Sequence, residues 1–315
     1  MGKIFLVVKM KSAEKIIIGI PTYKRPESLR NTLKSILQII DSDCKNTEIA
    51  IIDNDKEKSA FKTYEDIKKF SKKIPIHYFN ETKNGLSNVR NRILKEAINL
   101  NGNLLLGVDD DEIVEKNWLK NHLKFLNQKD CVVSSGPSIS ILPQNCPKWV
   151  IKGNFFKMID EKKDKRKLKT CATNNFGLKL DFIKKNNIKF DLLFNNCGGE
   201  DTDFFKTIHN KGGNIYHNKN ALCYDMVPPE RCTLKYVLKR DFRIGNNRAL
   251  KAKKYNPAQV PLKLLQNTGA LLFYIALLPI GIFQKHTFYK NLCKISKTFG
   301  YFKGATGKAA KAYGE

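Results

Sequence analysis

Residues 104–111 have the sequence LLLGVDDD, an apolar run that ends in three consecutive aspartates. A short run of this kind is typical of a buried strand in a parallel sheet. Ligands of open α/β sheets bind just beyond the carboxyl ends of the strands, where Asp109, Asp110 and Asp111 would lie. Adjacent carboxylates repel one another, and Mg²⁺ or Mn²⁺ would neutralise them while leaving positions open for phosphate oxygens. A solvated acidic turn is the alternative for the triplet taken alone.

The chain before this stretch alternates between predicted strands and predicted helices. Strands are expected at 15–20, 48–52, 74–79 and 103–108, and helices from residue 26 and over 87–100. The first strand is expected to stop at Pro21. Leu29, Leu33 and Ile36 recur at helical spacing after Pro26, which is a favoured first residue of a helix. Strands that alternate with helices form parallel crossovers, so a parallel sheet covered on both faces is expected.

The composition limits the class of protein and its partners. The 315 residues leave room for one large α/β domain with an extension. Lys and Arg number 57 against 30 Asp and Glu, and the charge of +27 favours nucleic acid, an anionic membrane or sugar nucleotides as partners. A lysine-rich surface that only keeps the protein soluble is the alternative. The eight cysteines show no CxxC pair and no zinc spacing, and the apolar start is too short for a signal peptide, so a cytoplasmic protein with reduced thiols is expected.

Polar residues follow the predicted strands. They are Pro21, Thr22, Tyr23 and Arg25 after the first strand, Asp53 after the second, and Asn84, Gly85 and Arg90 in the turn and helix start after the third. These groups are expected at the same sheet edge as the aspartate triplet. Carboxylates can hold a metal ion, an arginine can hold phosphate and a polar turn can hold a base, so the set predicts a nucleotide-diphosphate site. Taken alone, Arg90 would be interpreted as a surface cation.

A second acidic cluster follows two glycines in the sequence Gly198-Gly199-Glu200-Asp201. Glycines allow the backbone to approach a ligand closely, and a helix that begins here would favour the ionised form of Asp201 through its dipole. A general base must be ionised, so Asp201 is the predicted base and Glu200 the alternative. The competing interpretation is that both residues only cap the helix that begins at Thr202.

With these residues in place, the chain resembles the family 2 glycosyltransferases of the GT-A fold over about residues 14–248. The resemblance rests on residues 18–25 (IGIPTYKR), 51–55 (IIDND), 84–85 (NG), 90–91 (RN), 109–111 (DDD) and 198–201 (GGED). Residues 225–231 (DMVPPER) and 240–245 (RDFRIG) look like those of bacterial succinoglycan-type exopolysaccharide transferases. The resemblance implies a GT-A, Rossmann-like α/β fold with a mixed, mainly parallel sheet flanked by helices, followed by a helical, apolar C-terminal extension.

The same resemblance assigns roles to residues of the nucleotide site. Thr22 and Asp53 would contact the nucleoside, with Asp53 facing the base, and Arg90 would hold the diphosphate or the base edge. The remaining nucleotide-binding residues would be Pro21, Tyr23, Arg25, Asn84, Gly85, Asp109 and Asp110.

For the metal, the resemblance implies Mn²⁺ or Mg²⁺ bound by Asp111, with Asp109 touching the ribose or a metal-bound water. Many GT-A enzymes add a histidine ligand late in the sheet. The nearest candidates in this chain are Asp225 and His217, and Asp225 is the predicted third ligand.

The region after the second cluster is basic and then apolar. A basic helix is expected over 236–254. Four arginines of this basic region either close over the diphosphate or form a solvated or lipid-facing stripe: Arg231, Arg240, Arg243 and Arg248. Residues 264–284 carry no charge and could just span a bilayer core of about 30 Å. Pro279 and two glycines interrupt them and the tail beyond is lysine-rich, so an in-plane or re-entrant segment is expected. A buried core helix is the alternative.

The predicted domains are a leader (1–14), a catalytic domain (15–232) with a nucleotide half (15–112) and an acceptor half (113–232), a basic helical segment (233–258) and a membrane-associated tail (259–315). A lysine-dense loop is expected at 153–170 and strand-like sequence at 171–180.

The predicted function is an inverting glycosyltransferase of the hexosyltransferase type. It would move a sugar from a nucleotide-diphosphate sugar to a saccharide or polyprenyl-linked acceptor in cell-surface polysaccharide synthesis. From the resemblance, a UDP-sugar is the first candidate for the donor. It would work at the inner face of the plasma membrane, with no nucleic-acid partner. The alternatives are a metal-dependent phosphoryl-transfer enzyme and a non-enzymatic basic protein that binds nucleic acid or lipid.

Overall fold

A computed structural model describes residues 14–40, 46–71, 74–158, 163–195, 197–281 and 283–310. The predicted leader lies outside these residues except for its last position, and so do the final five residues of the predicted tail. Within the described residues, two sheets with their covering helices come first and helices alone follow residue 233.

The larger sheet contains eight strands among the described residues. They are β1 (Ile16–Thr22), β2 (Thr47–Asp53), β3 (Ile76–Asn80), β4 (Leu104–Val108), β6 (Cys131–Ser135), β8 (Lys167–Leu168), β9 (Asn175–Lys179) and β10 (Asn214–His217), in the order β3-β2-β1-β4-β9-β6-β10-β8. The pairs β3–β2, β2–β1, β1–β4 and β6–β10 are parallel. Antiparallel pairing joins β9 to β4 and β6, and β8 to β10. The prediction of a mixed, mainly parallel sheet is therefore confirmed.

The predicted stop of the first strand at Pro21 is wrong, because β1 continues through Pro21 to Thr22. Pro21 lies opposite Ile52 of β2, whereas the pairing of β1 with β4 ends at Gly19. Proline lacks an N–H, and beyond Gly19 no partner on the β4 side requires one. The extra residues carry Thr22 to the edge of the sheet where β4 ends.

A smaller sheet lies directly after β4 and was not predicted. It consists of β5 (Glu112–Val114), β11 (Cys223–Met226) and β7 (Ser138–Ile141), with β11 in the middle. The pairing of β11 with β5 is antiparallel and places Asp225 opposite Glu112. A residue far along the chain is thereby brought beside the end of the aspartate triplet.

Helices cover both faces of the larger sheet. They are α1 (Pro26–Ile39), α2 (Phe61–Phe70), α3 (Leu86–Asn99), α4 (Trp118–Leu126), α6 (Leu180–Asn186) and α7 (Glu200–Asn210). The short helix α5 (Lys148–Lys152) packs instead in a separate cluster with Val227 and Cys232. On one face, Leu33 of α1 and the fully buried Trp118 of α4 pack in one core with Ile18. On the other face, Ile93 of α3 and Phe204 of α7 belong to a second core. Side chains of β1 alternate between these cores, as the two-residue period of a strand requires.

The C-terminal region consists of α8 (Leu234–Tyr255), α9 (Val260–Ala276), α10 (Leu278–Gly281) and α11 (Lys285–Ala305) in the described residues. The predicted basic helix is α8, with one or two more residues at each end. Gly245 of α8 and Gly300 of α11 let the two backbones touch, since a Cβ at either position would lie within 2 Å of a carbonyl oxygen. No helix in the described part of the chain is both long and apolar enough to cross a membrane.

The predicted loop at 153–170 follows α5 and contains the short strand β8, while residues 159–162 lie outside the described residues. The strand-like stretch predicted at 171–180 forms a strand only over β9.

Candidate active site

A cleft of about 530 Å³ opens where β1 and β4 end. Its lining includes predicted site residues Pro21, Thr22, Tyr23, Arg25, Asn84, Gly85, Arg90, Asp109, Asp110, Asp111 and Asp225. It also includes Arg231, one of the arginines predicted to close over the diphosphate. The lining residues that the sequence did not single out as site residues are Asn54, Leu86, Val89, Glu112, Asn174 and Tyr236. The structure thus brings together side chains from the ends of three strands, the start of α3 and the segment that leads into α8.

Asp110 ties β4 to the loop after β1. Its Oδ2 accepts a hydrogen bond from the hydroxyl of Thr22 at 2.8 Å, and its Oδ1 lies 3.3 Å from a guanidinium nitrogen of Arg25. The hydroxyl of Thr32 in α1 donates to its backbone oxygen at 2.9 Å. Burial raises the pKa of Asp110 to about 6, and the positive charge of Arg25 opposes this rise. Asp110 therefore holds the cleft wall together as well as contributing charge.

Asp111 is held by two arginines. Its Oδ2 lies 3.0 Å from Nη1 of Arg25 and 2.8 Å from Nη2 of Arg231. Arg231 belongs to a short 3₁₀ helix, Pro229–Cys232, and its other terminal nitrogen lies 3.7 Å from Oδ1 of Asp225. Burial raises the pKa of Asp225 to about 6; the charge of Asp111 adds to the rise and that of Arg231 opposes it. Two guanidinium groups thus contact the carboxylate that was predicted to bind a divalent cation.

Arg90 links the two acidic clusters. Its side chain is 10 % exposed, with Nη2 at 3.8 Å from Oδ1 of Asp109 and Nε at 3.2 Å from Oε1 of Glu200. Burial raises the pKa of Glu200 to about 7, the charge of Arg90 opposes this and that of Asp201 adds to it. Burial likewise raises the pKa of Asp109, and Arg90 again opposes the rise. The first turn of α7 therefore adjoins the end of β4, although these segments lie about ninety residues apart.

The turn before α7 depends on glycine. Gly198 and Gly199 have φ values of 80° and 89°, in the left-handed region that favours glycine. The side chain of Asn247 in α8 packs against this turn and donates to the backbone oxygen of Cys197 at 3.0 Å. Asp201 lies in the first turn of α7 and is partly exposed, whereas Glu200 is buried. Neither of the two lines the 530 Å³ cleft itself.

Asp53 is fully buried and does not line the cleft. Its Oδ1 accepts from the backbone N–H of Asp55, and its Oδ2 accepts from the N–H of Ala60 at 3.0 Å and the hydroxyl of Tyr78 at 2.8 Å. Both oxygens thus hold the loop after β2. The neighbouring Asn54 lines the cleft, and the contact of Asp53 with a nucleoside stays a prediction.

Asn54 shapes the turn that the sequence assigned to a base. Its amide nitrogen donates to the backbone oxygens of Glu81 and Lys83, and its Oδ1 accepts from the N–H of Gly85 at 3.1 Å. Gly85 has φ of 115° and immediately precedes α3, so the turn and the helix that carries Arg90 are positioned together.

Three of the four arginines predicted to close over phosphate, Arg240, Arg243 and Arg248, do not line the cleft. Arg240 donates to the backbone oxygen of Phe155 at 3.0 Å, and its guanidinium lies 5.2 Å from the ring centroid of Phe156. A phosphate contact of Arg240 or Arg243 stays a prediction. Arg231, the fourth arginine of that prediction, does line the cleft.

Glu112 forms the floor of the cleft beside the triplet. Its carboxylate accepts from the hydroxyl of Ser138 at 2.9 Å and from the amide of Asn174 at 2.7 Å. Burial raises the pKa of Glu112 to about 8. These polar groups face the part of the cleft that lies next to Asp225.

The carboxylates of the cleft can bind a metal ion only if a bound ligand supplies further oxygen atoms. In the described residues, no three His, Cys, Asp or Glu side chains are grouped closely enough to bind a metal ion by themselves. Oδ1 of Asp109 and Oδ1 of Asp225 are nevertheless buried without a hydrogen bond, and both residues line the cleft with Asp111. Hard divalent ions take such carboxylate oxygens together with phosphate oxygens. The donor set therefore fits Mg²⁺ or Mn²⁺ when a diphosphate supplies the remaining ligands.

The architecture is that of the GT-A glycosyltransferases. It combines a mainly parallel sheet, an acidic triplet at the end of β4 and a neighbouring helix, α7, whose first turn is acidic. Residues 17–186 match the glycosyl transferase family 2, and the chain belongs to this family. The succinoglycan biosynthesis protein ExoM of Rhizobium meliloti (strain 1021) is 31% identical over 230 residues, which cover 73% of this chain and 72% of that protein.

Solved structures agree on the fold. The mannosyltransferase PcManGT from Pyrobaculum calidifontis, in complex with GDP-Man and Mn²⁺, superposes with a TM-score of 0.61 and 13% identity over 93% of this chain and 91% of that one. Residues 1–349 of TarS from S. aureus, in complex with UDP-GlcNAc, give a TM-score of 0.52 and 15% identity over 93% and 92%. The predicted GT-A fold is confirmed, and the protein is a glycosyltransferase related to enzymes of exopolysaccharide synthesis.

Proposed function

We propose that this enzyme transfers a sugar with inversion from a nucleotide-diphosphate sugar to a saccharide or polyprenyl-linked acceptor in cell-surface polysaccharide synthesis. The observation that carries the proposal is the position of Arg90 between Asp109 and Glu200. It joins a carboxylate cluster suited to the donor diphosphate and a helix start suited to a base. The relative ExoM, named for succinoglycan biosynthesis, supports the polysaccharide context. A UDP-sugar is the first donor to test, since the resemblance suggested it and TarS binds UDP-GlcNAc.

The cleft offers separate places for the two ends of the donor. Tyr23 and the turn at Gly85 receive the nucleoside at the end of β1 and the start of α3. Arg25 and Arg231 reach the diphosphate from opposite sides by exchanging their contact with Asp111 for phosphate oxygens. Arginine suits this task because its planar fork matches phosphate geometry.

A divalent ion, Mn²⁺ or Mg²⁺, would be held by Asp111 with Asp109 and Asp225, and would supply positive charge to the departing diphosphate. Residues of the chain already place positive charge beside these carboxylates. Burial of three carboxylates in one cleft is unfavourable unless cations are near, and arginines serve as those cations in this structure.

The base is Asp201. It lies partly exposed in the first turn of α7, where the helix dipole favours a carboxylate, whereas Glu200 is buried against Arg90. As the acceptor hydroxyl attacks, its oxygen bonds to the anomeric carbon, the bond from that carbon to the diphosphate breaks, and the proton passes to Asp201. Attack from the face opposite the leaving group inverts the anomeric configuration. Glu200 positions Arg90 and does not take the proton.

The enzyme would work in the cytoplasm, attached peripherally to the inner face of the plasma membrane. The support is α9, which is apolar yet has no buried residue, together with the basic helices around it. An enzyme held there would meet cytoplasmic nucleotide sugars and a lipid-linked acceptor at once.

The test is a panel of UDP- and GDP-sugars with Mn²⁺ or Mg²⁺ and short saccharide acceptors. The assay would follow release of nucleoside diphosphate, and proton NMR would give the anomeric configuration of the product. Acceptor-dependent release with inversion is expected. Release of inorganic phosphate or cleavage of nucleic acid would favour the phosphoryl-transfer alternative, and a product of retained configuration would contradict the role of Asp201.

A further inference from the structure

Helix α9 exposes apolar side chains along its whole length. Leu262, Leu265, Leu272, Phe273 and Ile275 are between 46% and 71% exposed. None of its 17 residues is buried, and Lys263 is its single charged residue. Burial of apolar area is the main favourable term in folding, so a helix that buries none of its residues contributes little of it. An apolar helix left this exposed marks a binding surface.

The stretch of sequence that carries α9 to α11 contains no acidic residue. Residues 256–310 include no Asp or Glu. The same stretch carries lysines at 263, 285, 290, 294, 297, 303 and 308. The combination of an apolar helix and cations without any anion is typical of helices that lie in the interface of a membrane.

A groove lies between the start of α11 and α5 of the catalytic domain. It has a volume of about 610 Å³ and is lined by Pro147, Lys148, Trp149, Lys152, Phe283, Gln284, Lys285 and His286. The side chain of Phe283 is 93% exposed, and the Trp149 ring packs edge-on against Tyr289 of α11 at 4.8 Å between centroids. Three lysines beside two aromatic rings suit a phosphate-bearing headgroup, with the rings at the boundary between headgroups and acyl chains.

We infer that α9, Phe283 and this groove form one docking surface for a leaflet that contains anionic phospholipids. In this arrangement α9 lies in the plane of the leaflet with Leu265, Leu272 and Phe273 among the acyl chains, while Lys148, Lys152 and Lys285 contact lipid phosphates. The inference deepens the peripheral attachment in the proposed function, but its test does not depend on transferase activity.

Charge decides between a membrane and a second copy of the chain as the occupant. Two copies joined through α9 would bring two acid-free, lysine-rich regions together, and their like charges would repel. A leaflet with anionic headgroups complements the lysines and accepts the apolar side chains, with roughly 1 kcal/mol of attraction for each cation near the surface.

Helix α8 and the segment before it connect the C-terminal helices to the cleft. Helix α8 packs along α11 through Gly245 and Gly300, and Tyr236 at the start of α8 lines the cleft. Arg231 lies just before α8 and also lines it. A leaflet bound to α9 and α11 would therefore hold the cleft close to the headgroups, where the sugar of a lipid-linked acceptor is found.

The experiment is flotation of the full chain with vesicles of phosphatidylcholine alone, or of equal parts phosphatidylcholine and phosphatidylglycerol. Tryptophan fluorescence adds a site-specific signal. The chain has two tryptophans, and Trp118 is fully buried, so a change on vesicle binding reports Trp149. Flotation with the anionic vesicles, with a blue-shifted Trp149 emission, is expected. A protein that stays with the soluble fraction in both mixtures would overturn the inference.

Two double variants locate the surface. Leu265→Ser with Phe273→Ser should lower the vesicle partition coefficient at least tenfold, because each side chain buries apolar area. Lys148→Gln with Lys285→Gln should lower it about thirtyfold on anionic vesicles and hardly at all on neutral ones. Phe70→Ser and the pair Lys62→Gln with Lys124→Gln are the matched controls, since these side chains are exposed on the catalytic domain.

Two further outcomes bear on the inference. Wild-type partitioning by both double variants would refute it, as would a dimer by light scattering that the Leu265→Ser/Phe273→Ser variant abolishes. Because α9 has no buried residue, thermal unfolding of that variant should match wild type, which separates lost docking from lost folding. Flotation without transferase activity would leave this surface standing and count against the proposed function, and activity without flotation would do the reverse.

Discussion

The cleft and the C-terminal helices contain side chains of opposite charge. The cleft gathers Asp109, Asp110, Asp111 and Asp225 in a chain that has few acids, and Arg25, Arg90 and Arg231 lie within 4 Å of them. Residues 256–310 contain seven lysines and no acid. The cleft is thus an acidic site suited to binding cations, and the C-terminal region is an exposed basic surface suited to binding anions. The overall charge of +27 is spread over the whole chain, so it reveals neither region by itself.

Burial explains why the two regions can be tested separately. In the cleft, burial raises the pKa values of Asp110 and Asp225 to about 6, and neighbouring arginines oppose that rise. A changed charge there alters the site directly. The apolar residues of α9 are exposed, so their replacement alters what the surface binds and leaves the fold intact.

The largest expected effect is on the base. Asp201→Asn should lower kcat for nucleoside diphosphate release about 10²–10⁴-fold with little change in donor KM, because a general base acts in the transition state. Steady-state kinetics with the preferred donor measures both constants. Asp181→Asn, an exposed acid in the first turn of α6, is the control and should behave as wild type. Equal losses in Glu200→Gln and none in Asp201→Asn would move the base to Glu200.

The next effect concerns the metal. Asp111→Asn should lower release about 10²–10³-fold, since charge stabilisation of a leaving group contributes several kcal/mol. Excess Mn²⁺ should not restore the rate. The matched control is Asp66→Asn, which removes a carboxylate that pairs with Arg30 outside the cleft. Full metal-dependent activity in Asp111→Asn would be incompatible with the proposed cation site.

A smaller effect, on the donor KM, distinguishes the arginines that line the cleft from those that do not. Arg231→Gln should raise donor KM about ten- to hundredfold, because hydrogen bonds to charged groups contribute about 1.5–3 kcal/mol. Arg240→Gln is the comparison, since that guanidinium contacts Phe155 and Phe156 instead of the cleft. If Arg240→Gln changes the donor KM and Arg231→Gln does not, the sequence-based choice of Arg240 is right and the cleft described here is incomplete.

The smallest effect is on stability and comes from the core beneath the cleft. His122 is fully buried, with Nε2 at 2.9 Å from Oδ1 of Asn175 and Nδ1 at 2.9 Å from the hydroxyl of Ser134. Burial lowers its pKa to about 4, so the folded protein keeps it neutral where the unfolded chain takes up a proton. Its contribution to stability is therefore lost as pH falls from about 6.5 towards 4, with a slope of at most about 1.4 kcal/mol per pH unit.

Urea unfolding between pH 4 and 8 measures that slope. The variant His122→Gln should lose part of the acid sensitivity, and His209→Gln, an exposed histidine at the end of α7, should keep the wild-type curve. Identical slopes in wild type and His122→Gln would show that His122 does not titrate as described.

Much of the fold was predictable because it is local. β1, β2 and β4 are buried on both faces, so they appear as apolar runs, and the helices between them show a regular apolar period. The smaller sheet escaped prediction because its strands have three or four residues and pair across long sequence distances. Strands that short carry no readable period. The end of β1 was predicted wrongly because proline ends a strand only where a neighbouring strand needs its N–H. At Pro21 only β2 still pairs with β1, so the strand continues.

In the site, the residues were largely predictable and their pairing was not. Acids are rare in this chain, so adjacent ones stand out, and the structure brings 109–111 and 200–201 together through Arg90. Arg25, Arg90 and Arg231 were predicted to contact the nucleotide or its phosphates, but the acid that each one pairs with was not, since the Arg231–Asp111 pair alone spans 120 positions. Asp53 shows the converse limit, because only the fold reveals that both of its oxygens bind the protein itself.

The most direct test of the converging acids is a crystal structure of Asp201→Asn with Mn²⁺ and the preferred nucleotide sugar, which this inactive variant should leave intact. We expect the diphosphate between Arg231 and Asp111, and the anomeric carbon turned towards residue 201. A nucleotide bound outside this cleft, or a sugar that points away from α7, would contradict the account.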